Sequence, residues 1–223
     1  MKTEELIPKG KNGRAFPRLI LPADDPVELA SYKGSITEIY AHDDYQVQRL
    51  AAEGFVPALV VDIGAQIGAF TTLAANLWPQ AKIYSFEAMH QHFRGLAANC
   101  TPRCRAINLP VLGDQDAQMN IDGKRYFDVG EYFFDAAWLA DLLKNYPNAH
   151  TLLKIDCEGA EGSILPRLME YSKVRFEIIT GEWHQSHVKK IVIDTLSPFY
   201  DLKMNEPPPG GGNYSTFFAK LKR

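Results

Sequence analysis

Short apolar runs alternate with helix-like segments along most of the chain. The runs predict seven strands: Ala58–Ile63, Ala81–Phe86, Cys104–Val111, Thr151–Ile155, Val174–Thr180, Phe199–Met204 and Thr216–Leu221. Apolar residues at helical spacing predict helices between them, at Ala69–Leu77, His90–Asn99, Phe134–Tyr146, Glu161–Tyr171 and Gln185–Leu196. Strands that alternate with helices and end in two strands joined by a short connection are typical of an α/β fold, with a doubly wound, mostly parallel sheet and an antiparallel end.

The segment before this alternation has a different pattern. Met1–Ser35 is rich in proline, glycine and charged residues, which predicts an irregular arm. Ile36–Glu53 has apolar residues at helical spacing, and Gly54 predicts the end of that helix. We therefore expect residues 1–55 to form an arm and a helix that cap residues 56–223 as part of the same domain.

Composition and charge narrow the class of partner. The chain has 223 residues, with 24 lysines and arginines against 27 aspartates and glutamates, a net charge of −3. A weakly acidic chain lacks the basic field of most nucleic-acid-binding proteins, so no nucleic-acid partner is expected. No apolar run approaches the roughly 20 residues that cross a bilayer. The three cysteines, an odd number, indicate reduced thiols, and we expect a cytoplasmic protein.

Candidate binding residues are concentrated where the first predicted strand ends. Apolar residues run into Asp62, and Gly64 and Gly68 follow before an apolar helix. Glycine lets the chain turn sharply and lets a ligand approach the backbone closely. The next helix then directs its first N–H groups at that ligand. The pattern predicts a nucleotide-type crevice at the carboxyl end of the first strand.

An acid at the end of the second predicted strand indicates what this crevice binds. Glu87 follows Phe86, and a carboxylate there accepts both hydroxyls of a ribose. The ligand is therefore of adenosine type, which leaves NAD and S-adenosylmethionine open. The G-x-G-x-x-G fingerprint of a nicotinamide dehydrogenase is missing, because three residues separate Gly64 from Gly68.

Several stretches resemble the motifs of one enzyme family, and they occur in the family's order. They are Val61-Asp62-Ile63-Gly64-Ala65-Gln66-Ile67-Gly68-Ala69-Phe70-Thr71, Ser85-Phe86-Glu87-Ala88, Leu153-Lys154-Ile155-Asp156-Cys157-Glu158-Gly159-Ala160-Glu161 and the pair Glu182 and His184. This set resembles the FkbM family of S-adenosylmethionine-dependent methyltransferases over about residues 56–220. Two positions depart from the family pattern: Gln66 stands where the family usually has asparagine, and Cys157 where it usually has an aliphatic residue.

The resemblance implies a class I methyltransferase fold, a Rossmann-like seven-stranded sheet of order 3-2-1-4-5-7-6 with strand seven antiparallel. It implies S-adenosylmethionine as methyl donor, bound by residues 56–223. It also implies O-methylation of a hydroxyl on a carbohydrate or a glycosylated or polyketide-type small molecule. The cofactor-binding residues expected on this basis are Asp62, Gly64, Gln66, Gly68, Thr71, Glu87, Gly113 and Asp114.

These residues suit different parts of such a donor. Asp62 and Thr71 are expected to orient the amino and carboxylate ends of the methionine part. Gly113 and Asp114, after the third predicted strand, are expected to meet the adenine edge. Glu87 is expected to accept the ribose hydroxyls.

Methyl transfer to an aliphatic hydroxyl also needs a group that removes the hydroxyl proton, because this hydroxyl is a poor nucleophile at neutral pH. The candidates follow the fourth and fifth predicted strands, at Asp156, Glu182 and His184. In one mechanism Asp156 or His184 is the general base. In the other, all three residues hold a divalent cation, Mn²⁺ or Mg²⁺, that lowers the pKa of the hydroxyl. We favour the metal-free base.

Neighbouring residues have structural interpretations. Lys154 lies inside a buried strand, so we expect it to form an ion pair. Glu161 lies in the first turn of a predicted helix, where an acid suits the helix dipole. Trp183 and Tyr214 are candidates to stack on a sugar ring, and packing explains either of them equally well.

An NAD-dependent dehydrogenase remains open from the sequence, and so do two other functions. One is a methyltransferase that acts on a nucleic acid or on another class of small molecule. The other is a cofactor-binding protein of the same fold without catalytic activity. The acceptor, the oligomeric state and the need for a metal do not follow from these motifs, because a fold of this kind supports many functions.

Overall fold

A computed structural model describes most of the chain. The described residues are 2–113, 120–121, 124–125, 133–171, 173–207 and 212–222. The chain divides into two compact units, Met1–Asn108 and Leu109–Arg223. We describe each unit by itself.

The strands and helices follow one another in the predicted alternation after residue 58. In chain order the strands are β1 (Thr3–Leu6), β2 (Leu19–Pro22), β3 (Leu59–Ile63), β4 (Lys82–Phe86), β5 (Cys104–Ile107), β6 (Val111–Leu112), β7 (Asn120–Ile121), β8 (Lys124–Arg125), β9 (Phe134–Asp135), β10 (Thr151–Ile155), β11 (Ile178–His184), β12 (Tyr200–Met204) and β13 (Tyr214–Leu221). The α-helices are α1 (Pro26–Ile36), α2 (Val47–Ala52), α3 (Ala69–Leu77), α4 (His90–Asn99), α5 (Ala136–Leu143), α6 (Glu161–Tyr171) and α7 (Ser186–Leu196). A π-helical segment, Thr37–His42, follows α1.

The main sheet has seven strands, in the order β12-β13-β11-β10-β3-β4-β5. The pairs β3 with β4, β4 with β5 and β10 with β11 are parallel. Strand β13 is antiparallel to both β11 and β12. When these strands are numbered one to seven along the chain, the order is 3-2-1-4-5-7-6 with strand seven antiparallel. The fold class predicted from the sequence is therefore confirmed.

The parallel strands β3 and β10 are the most completely buried elements of the sheet. Every residue of Leu59–Ile63 and of Thr151–Ile155 is buried. A parallel strand covered on both faces needs a continuous apolar run, because neither face meets water. The ionisable residues within these two strands, Asp62 and Lys154, each have a partner described below.

The prediction of an irregular arm over Met1–Ser35 is wrong. Strands β1 and β2 pair antiparallel within this segment, and Leu19 and Leu21 of β2 are fully buried. Helix α1 also begins there, because Asp25 accepts a hydrogen bond from the backbone N–H of Val27 at 2.8 Å and Pro26 occupies the first turn. An aspartate cap followed by proline is a helix start, although both residues fall within the predicted irregular arm.

The single helix predicted at Ile36–Glu53 is interrupted. The π-helical segment ends at His42, and α2 starts only at Val47. Between them Asp43 (φ 58°) and Gln46 (φ 60°) have left-handed backbone conformations. The buried Asp43 carboxylate accepts two backbone N–H groups at the start of α2, at 2.9 and 3.0 Å. These bonds offset the local strain and fix the break in the helix.

The second unit carries α5, α6 and α7 with β10 to β13. Asp135, predicted as the cap of α5, accepts the backbone N–H of Trp138 at 2.8 Å, so that prediction is confirmed. Leu139 of α5 and Leu165 of α6 are fully buried. In the described part of the chain, none of the helices has both the length and the apolar character that crossing a membrane requires.

Candidate active site

The loop between β3 and α3 has an unusual backbone. Gly64 (φ 77°), Gln66 (φ 49°) and Gly68 (φ 84°) are all in the left-handed region. Glycine adopts this region without a steric penalty. At Gly68 a Cβ would also lie 2.9 Å from Leu96 Cδ1. The loop therefore favours glycine at Gly68 for its backbone angle, and a Cβ there would also force the Leu96 side chain of α4 to shift.

Glu87, the predicted ribose acid, is 6% exposed and directly follows β4. Its Oε2 accepts the backbone N–H of Gln66 at 2.8 Å, and its Oε1 accepts that of Met89 at 2.7 Å. His92 Nδ1 is 3.8 Å from Oε1. These contacts orient the carboxylate, and they also explain why Gln66 tolerates a left-handed backbone: its N–H has a charged acceptor.

Asp62 and Thr71 contact each other, and both are fully buried. Thr71 Oγ1 donates to Asp62 Oδ2 at 2.7 Å and lies 2.7 Å from Ser85 Oγ. The bond links β3 to the first turn of α3, on either side of the glycine loop in the sequence. Sequence reasoning identified both residues but not their bond to each other.

Asn99, the last residue of α4, was not identified as a candidate site residue from the sequence. Its Oδ1 accepts the backbone N–H of Ile20 at 2.8 Å, and its Nδ2 donates to the backbone oxygens of Ile20 (2.9 Å) and Ile67 (2.8 Å). One amide therefore joins β2 to the glycine loop. An asparagine at a helix end is by itself a weak signal, because it is common there for other reasons.

The two residues predicted to meet adenine have different outcomes. Gly113 is buried, and a Cβ there would lie 2.5 Å from the backbone oxygen of Ser163 in α6. Its glycine is therefore required by packing against that helix. Asp114 lies outside the described residues, so its contact with adenine stays a prediction.

Acidic side chains surround His184 at the end of β11. His184 Nε2 lies 3.7 Å from an oxygen of each of Asp156, Glu158 and Glu182. His184 Nδ1 lies 3.2 Å from Oε1 of Glu161. The three residues predicted as catalytic, Asp156, Glu182 and His184, are therefore brought together within the second unit.

The charge of His184 follows from these neighbours. Burial by itself lowers the pKa of the imidazole. The hydrogen bond to Glu161 and the charges of Glu161, Asp156 and Glu158 outweigh burial and raise the pKa of His184 to about 9. In this state His184 is an imidazolium at neutral pH, and an imidazolium has no lone pair with which to accept a proton.

Glu161 makes specific contacts beyond the favourable interaction with the helix dipole that the sequence predicts. It lies in the first turn of α6 and is fully buried. Its Oε1 accepts the backbone N–H of Cys157 at 2.7 Å as well as facing His184. The residue therefore fixes both the chain after β10 and the orientation of the imidazole. This burial depends on tertiary packing, so no local pattern in the sequence indicates it.

Lys154 and Gly181 lie on β10 and β11, the two strands that position the residues around His184. Lys154 is 3% exposed, and its Nζ lies 3.6 Å from Asp156 Oδ2, so the predicted ion pair is confirmed. Gly181 pairs with Ile155 across β10 and β11. A Cβ at Gly181 would lie 1.9 Å from the backbone oxygen of Ile155, a distance that no side chain can occupy.

The two aromatic candidates for sugar stacking differ in exposure. Trp183 is 2% exposed, so it packs in the core and presents no face to a sugar ring. Tyr214 is 44% exposed, and its ring stacks on that of His184 with centroids 6.1 Å apart and an interplanar angle of 19°. Tyr214 therefore remains the candidate for contact with an acceptor.

The sheet order, the glycine loop after β3 and the acid after β4 define a class I S-adenosylmethionine-dependent methyltransferase fold. Residues 62–205 match the methyltransferase FkbM domain, which is well over half of the chain. The chain belongs to this family and is an S-adenosylmethionine-dependent methyltransferase. No curated protein matches it significantly over its sequence.

Solved structures of methyltransferases share the fold at low sequence identity. The chain is similar to the putative methyltransferase yhhF from Escherichia coli, with 12% identity, a TM-score of 0.53 and coverage of 99% of this chain and 100% of that chain. The chain is 13% identical to precorrin-6y C5,15-methyltransferase from Geobacter metallireducens, with a TM-score of 0.48 and coverage of 80% of this chain and 88% of that chain. It is 16% identical to 1,6-didemethyltoxoflavin-N1-methyltransferase from Burkholderia thailandensis, solved with S-adenosylhomocysteine. The TM-score is 0.44, with coverage of 94% of this chain and 96% of that chain. At 12% identity the likeness to the Escherichia coli structure shows the fold alone.

Proposed function

We propose that this methyltransferase transfers the methyl group of S-adenosylmethionine to a hydroxyl of a carbohydrate or of a glycosylated or polyketide-type small molecule. The observation that carries the proposal is the cluster of carboxylates around His184 at the ends of β10 and β11. An alcohol acceptor needs a base, and this cluster supplies candidate bases. Free thiols at all three cysteines fit the cytoplasmic location expected from the sequence.

The donor would be bound by residues of the first unit. Glu87 would accept the ribose hydroxyls, because its carboxylate is already fixed by backbone N–H groups. The methionine part would pass Gly64 and Gly68, near the linked side chains of Asp62 and Thr71. Gln66 is the remaining proposed contact in this unit, and the contacts of Gly113 and Asp114 stay predictions from the sequence.

The transfer step is an in-line displacement at the methyl carbon. The acceptor oxygen forms a bond to that carbon, the bond from carbon to the positive sulfur breaks, and S-adenosylhomocysteine leaves as a neutral sulfide. The hydroxyl proton goes to a carboxylate of the cluster. Asp156 and Glu182 are the candidate bases, because the protonated His184 is a donor and would orient the acceptor or the base.

The proposal is tested by transfer of a labelled methyl group to a panel of acceptors. The panel contains free sugars, glycosylated small molecules, polyketide-type alcohols, amines and RNA, and each acceptor is assayed with and without a chelator. We expect label on a hydroxyl acceptor and its loss in Glu182→Gln. Glu170→Gln is the matched control, because Glu170 is an exposed acid of α6 paired with Arg167, outside the cluster.

Other outcomes would contradict the proposal in identifiable ways. Label on RNA, with binding that weakens as salt is raised, would mean a nucleic-acid methyltransferase. Label on an amine would retain the donor and overturn the hydroxyl acceptor. Tight binding of S-adenosylhomocysteine without transfer to any acceptor would favour a non-catalytic protein of this fold.

A further inference from the structure

The cluster around His184 contains a buried polar atom that the chemistry described above does not use. Glu161 is fully buried, and its Oε1 is satisfied by the backbone N–H of Cys157 and by His184 Nδ1. Its Oε2 has no hydrogen-bond partner among the described residues. A carboxylate oxygen that is buried without a partner destabilises the fold, so a ligand that satisfies it is favoured.

The charge around this atom indicates the sign of that ligand. Four carboxylates lie within 3.7 Å of the His184 ring nitrogens, those of Asp156, Glu158, Glu161 and Glu182. The imidazole and the ammonium of Lys154, 3.6 Å from Asp156, supply at most two positive charges. Negative charge is therefore in excess, and it favours a cation.

We propose that Asp156, Glu161 and His184 bind a divalent cation, which displaces one proton from the His184 imidazolium so that a ring nitrogen becomes a ligand. One donor atom from each of these residues lies within 4.8 Å of the other two, so a small closure brings all three onto one ion. Two carboxylate oxygens and one imidazole nitrogen suit Mn²⁺ better than Mg²⁺, which prefers oxygen ligands. Three protein ligands leave further coordination positions open, as in a catalytic metal site.

This ligand set differs from the one that the sequence suggested. Glu161 takes the place of Glu182, because Glu161 has the unsatisfied buried oxygen and has a donor atom within 4.8 Å of those of Asp156 and His184, whereas no such set among the described residues includes Glu182. Glu182 is then left to accept a proton. It lies 3.7 Å from His184 Nε2 and is 14% exposed, so a small acceptor can reach it.

The role of the ion rests on the proposed function. A hydroxyl bound at an open position of the ion would have a lowered pKa, and its proton would pass to Glu182. The oxygen would then form its bond to the methyl carbon while the bond from carbon to sulfur breaks, with S-adenosylhomocysteine as the product. Metal binding itself needs neither the donor nor the acceptor, so it is measurable even where methyl transfer fails.

The test is a titration of the chelator-treated full chain with Mn²⁺, followed by electron paramagnetic resonance, without donor or acceptor. We expect one bound Mn²⁺ per chain and a nitrogen coupling that is lost in His184→Gln. Affinity falls at least about tenfold in Glu161→Gln and Asp156→Asn. It stays within about threefold in Glu182→Gln and in Glu170→Gln, the exposed control on the same helix.

Each result decides the proposal. It is overturned by a wild-type chain that binds no Mn²⁺ below about 1 mM, or by Glu161→Gln and Glu170→Gln variants of equal affinity. It is also overturned if the affinity for Mn²⁺ falls in Glu182→Gln but not in Glu161→Gln, because the ligands would then be Asp156, Glu182 and His184. If Glu161→Gln does not fold, the affinity of Asp156→Asn for Mn²⁺ decides the proposal, because Asp156 is only half-buried. Binding of S-adenosylhomocysteine, measured on the same samples, reports the proposed function separately.

Discussion

Glu161 Oε1 lies 3.2 Å from His184 Nδ1, so the first turn of α6 and the end of β11 are joined through one buried carboxylate. The contact fixes one edge of the imidazole and leaves the other, Nε2, facing the remaining acids of the cluster. It also stabilises the protonated form of His184. The first prediction follows from that charge.

We expect the stability of the chelator-treated protein to depend on pH through His184. Its folded-state pKa, about 9, lies above the value of 6.5 for an unperturbed histidine. A group with a raised folded-state pKa stabilises the fold fully below the unfolded pKa, and the contribution is lost as the pH rises through the folded pKa. The free energy of unfolding of the wild type should therefore fall between pH 6.5 and 9, relative to His184→Gln, by on the order of 2 kcal/mol.

Urea unfolding at a series of pH values measures this difference. His187→Gln is the control, because His187 is an exposed histidine of the neighbouring helix α7. Its curve should run parallel to that of the wild type. A His184→Gln curve that is also parallel to the wild type would show that the acids do not hold a proton on the imidazole.

Replacing Glu87 by glutamine should weaken binding of S-adenosylhomocysteine at least about tenfold, because charge-assisted hydrogen bonds contribute about 1.5–3 kcal/mol. Isothermal titration calorimetry gives the affinity. Glu28→Gln is a matched control: Glu28 in α1 also contacts His92, at 3.1 Å, but its side chain is 36% exposed. Equal affinity in the two variants would mean that Glu87 is a structural acid of the loop and not a ribose ligand.

Gly68→Ala and Gly54→Ala separate backbone strain from steric contact. Both glycines have a left-handed φ, 84° and 86°, but a Cβ at Gly54 meets nothing within 4 Å, whereas one at Gly68 meets Leu96 at 2.9 Å. We expect Gly54→Ala to cost about 1 kcal/mol and Gly68→Ala about 1–3 kcal/mol more. Thermal unfolding measures the cost, and binding of S-adenosylhomocysteine should weaken only in Gly68→Ala. An equal loss of stability in Gly68→Ala and Gly54→Ala would mean that the close approach to α4 does not contribute to the cost.

Gly181→Ala should destabilise the protein by at least about 3 kcal/mol, since its Cβ would overlap the backbone oxygen of Ile155 and force β10 and β11 apart. Gly162→Ala in α6 is the comparison, because its Cβ would make ordinary contacts of 3.5 Å with α7. That variant should be neutral or stabilising, as alanine favours a helix. Denaturant unfolding of the two variants checks the contrast, and a well-folded Gly181→Ala would contradict the strand spacing.

The sheet was predictable from the sequence because its central strands are buried on both faces. Leu59–Ile63 and Thr151–Ile155 need continuous apolar runs, and such runs are visible without any structure. The N-terminal segment was less predictable. Its hairpin pairs two short strands far apart in sequence, β1 and β2, and its first helix starts at an Asp-Pro pair that also suits a turn.

The proximity of the candidate catalytic residues was predictable from the sequence, but most of their contacts were not. Asp156 directly follows β10, and Glu182 and His184 lie at the end of β11, which pairs in parallel with β10, so their proximity follows from topology. The burial of Glu161 and the three hydrogen bonds of Asn99 depend on tertiary packing, which leaves no local pattern in the sequence. The charge of His184 depends on the same packing, and for this reason its prediction as a general base did not anticipate an imidazolium.

A crystal structure with bound S-adenosylhomocysteine tests the central claim most directly. The account predicts that the ribose hydroxyls lie within hydrogen-bond distance of the Glu87 carboxylate and that the homocysteine part passes the backbone of Gly64–Gly68. Adenosine bound away from Glu87, or a chain that takes up none of the compound at saturating concentration, would contradict it.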